Sequence, residues 1–262
     1  MAIETLLDNS VRSAQAADWA LSHGISSLTT AEAGKLLGVP NDHVRVRLAA
    51  PIRRGEWISP ARGLWVPVRP EYRAAGGPPG IELIDDLARY AGISYYVGWL
   101  SAASRHGATH NAPQVFQVAV DGRVTARTVG RVHFEFNRRE RVGQVSTIMV
   151  RTYNGDVPFS TPAVTALDIT TDIDLAGGLD NAANIIIDLV NEANLTAASV
   201  AESARWFPTA SVRRIGWIID TFTDLNALEP LRQEAKVDTV APSLLHPALP
   251  RRGHTDPVWG LV

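Results

Sequence analysis

The chain has no cysteine and only two lysines, Lys35 and Lys236, among its 25 basic residues. Without thiols, disulfides, thiolate zinc sites, iron–sulfur clusters and cysteine nucleophiles are excluded. The arginine bias fits a GC-rich genome better than arginine-specific chemistry. There is no glycine-rich phosphate loop of either the dinucleotide or the Walker type, so nucleotide hydrolysis has no support. No apolar run approaches the roughly 20 residues that span a bilayer. Met1-Ala2-Ile3-Glu4 lacks a basic segment followed by an apolar one. The expected protein is therefore cytoplasmic, without a membrane partner and without a cofactor.

What remains is an ordinary globular composition, 45% apolar and 20% charged over 262 residues, enough for two domains with sizeable cores. The formal charge of −2 conceals an asymmetry. From residue 43 to 73, seven arginines stand against two glutamates, leaving five positive charges. Between Asp156 and Val240, thirteen acids stand against five bases, leaving eight negative charges. A basic front suits a nucleic-acid partner and an acidic back a protein partner or a solvated surface.

The front stretch, Leu28 to Val68, reads as a winged helix-turn-helix. Thr30 is placed to cap a short helix ending at Gly38, where a left-handed residue stops it, and Gly34 lets a second helix cross closely. Pro40 presets the next helix, Asn41 to Ala50, closed by Pro51. Val44 and Leu48, four apart, pack inward, which turns Asn41, His43, Arg45 and Arg47 outward as a recognition helix requires. Residues 55–58 and 64–68 form the strands of a wing around the turn 59–63, with Arg53, Arg54 and Arg62 placed for phosphates. Helix-turn-helix shapes also serve protein contacts, but turn chemistry, wing and charge agree here on DNA.

The reading of the whole chain is an α+β protein: an N-terminal winged helix-turn-helix over 1–72, a Gly/Pro linker over 73–80, and a larger mixed α/β domain over 81–262. Apolar positions from Ile3 to Leu21 predict a first helix. The second domain should open with helices 81–91 and 94–106. Strands 115–120, 131–136 and 147–151 follow, then helices 162–168, 181–193, 196–206 and 211–222. The proline-rich tail from Val240 either stays loose or returns to the sheet as an edge strand.

Catalytic candidates are sparse. His106 and His110 have helical metal-ligand spacing, but Gly107 replaces the expected glutamate and a capped helix end is the better reading. His133 sits on a strand pattern as a surface or satisfied histidine. Asp168, Asp172 and Asp174 form the densest carboxylate group, which keeps a metal-dependent nuclease fused to a DNA-binding head as the alternative function. No lysine lies near them. A second basic cluster spans residues 121–151, where seven arginines from Arg123 to Arg151 stand against Asp121, Glu135 and Glu140, leaving four positive charges; it either extends the DNA surface or is a solvated strand face.

In order and spacing, several segments resemble the AbiEi family of antitoxins. They are Arg62–Val68 (RGLWVPV), Tyr95–His110 (YYVGWLSAASRHGATH), Ser160–Ile169 (STPAVTALDI) with Gly177-Gly178-Leu179, and Ser211–Phe222 (SVRRIGWIIDTF). Where the family tends to carry two arginines, a leucine and a glycine, this chain has Arg213-Arg214-Ile215-Gly216. The resemblance implies a non-enzymatic protein of a type IV toxin–antitoxin, abortive-infection system active in phage defence. Its winged domain would bind double-stranded DNA at inverted repeats in its own promoter and repress the operon. Its second domain would oppose a cognate nucleotidyltransferase-like toxin, usually without a stable complex. Arg213 and Arg214 open a helix, where cations oppose the macrodipole; this suggests a surface for a partner's carboxylate or phosphate, or else an internal ion pair with local acids.

Overall fold

The computed structural model describes residues 11–109 and 114–262 and combines helices with sheets in an α+β architecture. Its chain divides into two units. One comprises the residues up to Ile93 with Val124–Phe134 and Arg151–Val157; the other comprises Ser94–Arg123, Glu135–Val150 and Pro158–Val262. The expected helix from residue 3 lies in part outside the described residues; within them, α1 is Ala16–Ser22.

In the first unit β1 (Leu28–Thr29) leads into α2 (Thr30–Leu37) through a reciprocal capping box. The Thr29 hydroxyl accepts from Glu32 N at 3.3 Å, and Glu32 Oε2 accepts from Thr29 N at 2.7 Å. The cap is thus Thr29, not Thr30, whose hydroxyl instead receives Trp65 Nε1 at 3.1 Å. Gly38 ends α2 at φ 63°, ψ 38°, the left-handed stop its position predicted. A single 3-10 turn, Asn41–His43, then starts α3 (Val44–Arg53). This helix continues past Pro51, because a proline in the last turn removes only one ladder bond and the ladder is about to end.

Strands β2 (Trp57–Ala61) and β3 (Leu64–Pro67) form an antiparallel hairpin in a sheet ordered β1-β3-β2. Its register slips between Ile58 and Ala61, around Pro60, which has no N–H to give the ladder. Val44 and Leu48, both wholly buried, join Leu28, Leu36, Trp57 and Trp65 in the core beneath.

A short α4 (Pro70–Arg73) follows, then α5 (Gly80–Ala91). Residues 73–80 and α5, read from sequence as a linker and as the opening of the second domain, both lie in the first unit. The reason is long-range: the buried Asp86 carboxylate accepts from Ser26 Oγ at 2.8 Å and Ser27 Oγ at 2.7 Å, and Tyr72 donates to Glu82 at 2.9 Å.

The second unit opens on a strand rather than the expected helix. β4 (Tyr95–Val97) pairs antiparallel with β5 (Val115–Val120), Tyr96 facing Ala119, and parallel with β9 (Gly155–Ser160) at Val97↔Phe159. The β-favouring Tyr95-Tyr96-Val97 run wins over the helical pattern. α6 (Trp99–Arg105) starts only after Gly98. Along the chain between β5 and β9 come β6 (Arg127–Val129), which belongs to the first unit, β7 (Val132–Arg138) and β8 (Thr147–Thr152).

The helices α7 (Pro162–Thr171), α8 (Leu179–Glu192), α9 (Ala197–Ala204), α10 (Thr209–Phe222) and α11 (Glu229–Ala235) enclose an aliphatic core. It includes Leu167, Ile186, Leu189, Val200, Ile215, Ile219 and Leu231, all wholly buried.

The tail is neither loose nor an edge strand of the sheet. Ser243 bridges Leu261, and Trp259 and Leu261 are buried in the helical core. Two features of α10 receive it. Gly216 leaves a hollow filled by the Trp259 ring, so that a Cβ there would stand 2.0 Å from Cζ3. Arg213 reaches into the tail and donates to the carbonyls of Ala235, Lys236, Val240, Ala241 and Gly260 and to Ser243 Oγ, at 2.7–3.3 Å. Arg214 donates likewise to Leu244, Leu245 and Thr170 carbonyls.

Candidate nucleic-acid interface

Because Val44 and Leu48 anchor one face of α3, the opposite face is presented to solvent. Asn41, His43, Arg45, Arg47 and Arg53 are all exposed there. Asn41 lies close over α2, its Oδ1 2.9 Å from where a Cβ on Gly34 would be. The sequence reading passed over one member of this face, Val46, which is 74% exposed between the two arginines. An apolar side chain at that point suits a thymine methyl group as arginine suits guanine. Its signal was available: Val46 falls outside the four-residue spacing that buries Val44 and Leu48.

Arg62 is exposed at the tip of the β2–β3 hairpin, where Gly63 takes φ 88° and the Arg62 carbonyl accepts from Tyr90 Oη at 2.8 Å. Arg54 departs from the expected role. It is held by a bidentate pair with Glu56, at 2.7 and 2.8 Å, and that hydrogen bonding raises its already high pKa while lowering that of Glu56. A guanidinium so engaged has fewer donors for a phosphate.

Arg213 and Arg214 do not form a partner surface. They are 0% and 5% exposed, and their bonds run to backbone carbonyls and one hydroxyl rather than to the carboxylates of an ion pair. Burial lowers both pKa values. The odd placement of cations near a helix start is explained by carbonyl groups of the tail, which supply the negative ends of dipoles.

The acidic candidates are drawn together by a residue that sequence proximity did not reveal. Arg139 donates through Nε and Nη2 to Asp168 Oδ1, at 3.3 and 3.1 Å, and through Nη2 to Asp172, with its guanidinium carbon 4.9 Å from the centre of the Trp99 ring. Tyr96 Oη donates to Asp168 at 3.0 Å, and Trp99 Nε1 to Asp172 at 3.2 Å. Asp174 is exposed on the following 3-10 turn.

Two carboxylates clamped on a guanidinium are occupied as ligands, and no group of three or more His, Cys, Asp or Glu among the described residues is placed to hold an ion. Gly98 makes room for the clamp, since a Cβ would stand 2.9 Å from Asp168 Oδ2, and Trp99 accepts a left-handed φ of 46° beside it.

Asp168 is wholly buried, and its Oδ2 has no hydrogen-bond partner among the described residues. Burial outweighs the attraction of Arg139 and lifts its pKa from 3.8 to about 7. The folded chain therefore binds a proton that the unfolded chain has already lost in this window. Stability from this group is full below 3.8 and is lost as pH rises through about 7. Asp168→Asn should flatten that decline relative to the parent in urea titrations repeated across the window. Parallel curves for the two proteins would refute the assignment.

Of the histidines, His106 is half-buried, its Nε2 2.8 Å from the Ser160 carbonyl, and burial lowers its pKa, which suits a neutral ring donating that bond. It closes α6 as a helix end, and His110 lies outside the described residues. His133 is exposed, its Nδ1 3.0 Å from the Thr128 hydroxyl.

No curated protein matches the chain. Among solved structures, the crystal structure of the RV2827C protein from Mycobacterium tuberculosis has a TM-score of 0.63 and 14% identity, covering 97% of this chain and 93% of that one, so the two share a fold. The model of the AbiEi antitoxin C-terminal domain matches residues 96–221, the span that holds the Arg139 clamp and the two buried arginines. Residues 96–221 thus match the AbiEi antitoxin C-terminal domain.

Proposed function

We propose that this protein is a cytoplasmic, cofactor-free DNA-binding antitoxin that represses its own operon and counteracts a cognate nucleotidyltransferase-like toxin of type IV. In this reading residues 1–72 are a winged helix-turn-helix, 73–80 its flank, and 81–262 the antitoxin domain. The observation that carries DNA binding is the exposed face of α3, where Arg45, Val46 and Arg47 stand clear of a core pinned by Val44 and Leu48, beside a hairpin tipped by Arg62. Such a helix lies in a major groove with the hairpin on the adjacent backbone. Asn41, His43, Arg45 and Arg47 would read base edges, while Arg53 and Arg62 would meet phosphates, with Arg54 shared with Glu56. The clamp of Arg139 on Asp168 and Asp172 weighs against the nuclease alternative.

The test is a mobility-shift titration on the inverted repeats upstream of the gene. Arg45→Ala should lose about 1–3 kcal/mol of specific affinity. Arg62→Ala should weaken specific and nonspecific DNA alike and reduce the salt slope by about one. An operator affinity indifferent to Arg45 would remove the helix from the groove. In cells, an Arg45→Ala/Arg47→Ala double variant should release the promoter yet still neutralise a co-expressed toxin. Loss of both at once would merge the two jobs that this reading separates.

A further inference from the structure

A cavity of about 420 Å³ opens in the second unit against Tyr96 and Arg139. Its rim carries Arg138, Arg141 and Arg205 against Glu140, so three cations face one anion even with the charge of Arg139 assigned to Asp168 and Asp172. All three rim arginines are exposed, and two lie against the Trp206 ring, with guanidinium carbons 5.2 Å (Arg141) and 4.8 Å (Arg205) from its centre. Arg139, fixed through Nε and Nη2, also lines the cavity.

These features favour one ligand chemistry. Arginines held over an aromatic ring lose less freedom when they fork onto a phosphate than arginines free in solvent. The apolar wall of Val145, Trp206 and Phe207 suits a planar base. The volume falls within the range of small-molecule sites. We propose that this cavity binds a nucleoside phosphate, either free or as the end of a single-stranded nucleic acid. The cavity lies within the 96–221 span and does not depend on DNA binding by α3.

Calorimetric titration of the full chain carrying Arg45→Ala and Arg47→Ala, which silences the proposed duplex surface, is the test. The probes are the four ribonucleoside triphosphates with and without magnesium, a short single-stranded RNA, and inorganic phosphate. Binding of a triphosphate, or of the RNA alone, supports the proposal and tells the free ligand from the strand end. Adding Arg141→Ala and Arg205→Ala, both exposed, should weaken that binding about tenfold or more with the melting curve unchanged. Trp206→Phe should abolish ligand quenching of tryptophan fluorescence. The proposal is overturned if no probe binds, if inorganic phosphate binds as tightly as any nucleotide, or if the arginine variants bind as the parent does.

Discussion

Replacing Arg213 by alanine is expected to cost about 3–5 kcal/mol and to free the tail, because the change empties the wholly buried place of its side chain and leaves five carbonyls, those of Ala235 and Gly260 in buried residues, without that donor. Water entering the gap would meet part of that need, which is why the figure is well below five separate penalties. Lysine is no substitute: three donors on a point charge cannot reach acceptors spread around a flat fork. Equilibrium urea unfolding measures the loss, and limited proteolysis should cut first between residues 236 and 262. A variant within half a kilocalorie of the parent, on the scale of ordinary surface changes, would mean that the tail is held by something else.

The second large effect concerns Trp259 and Gly216. Trp259→Ala should cost about 3–5 kcal/mol for the emptied core space, together with the bond that Nε1 makes to Asp220 at 2.9 Å. Gly216→Ala alone would place a methyl group 2.0–2.5 Å from three ring atoms. It should destabilise by about 1–3 kcal/mol, despite alanine's advantage of about 1 kcal/mol over glycine inside a helix. Once the ring is gone, that advantage is all that remains, so Gly216→Ala should stabilise the Trp259→Ala background. The reversal of sign in a double-mutant cycle is the diagnostic result, and additive costs would show that ring and glycine do not meet.

What could be read from sequence was local. The Gly38 stop, the inward pair Val44 and Leu48, and the hairpin around Arg62 follow from spacing and turn chemistry over a few residues. What could not be read depends on partners far along the chain. Asp86 binds serines 59 and 60 residues earlier, which draws α5 into the first unit. The three carboxylates between Asp168 and Asp174 resembled a metal site because their counter-charge, Arg139, lies 29 residues before Asp168. Arg213 and Arg214 looked unpaired for the same reason, with acceptors 22 to 47 residues downstream for the first. Tyr95–Val97 failed differently: a three-residue strand beside a true helix is too short to carry a period of two.

Strand β2 is an outer strand of its sheet, a position from which one copy of a protein can zip onto another. Pro60 interrupts that seam. It offers no amide hydrogen, and its carbonyl is already taken by Arg127 Nη1 at 3.2 Å. Copies brought side by side would therefore find no continuous ribbon to extend. The interruption guards the hairpin against fibril-like growth.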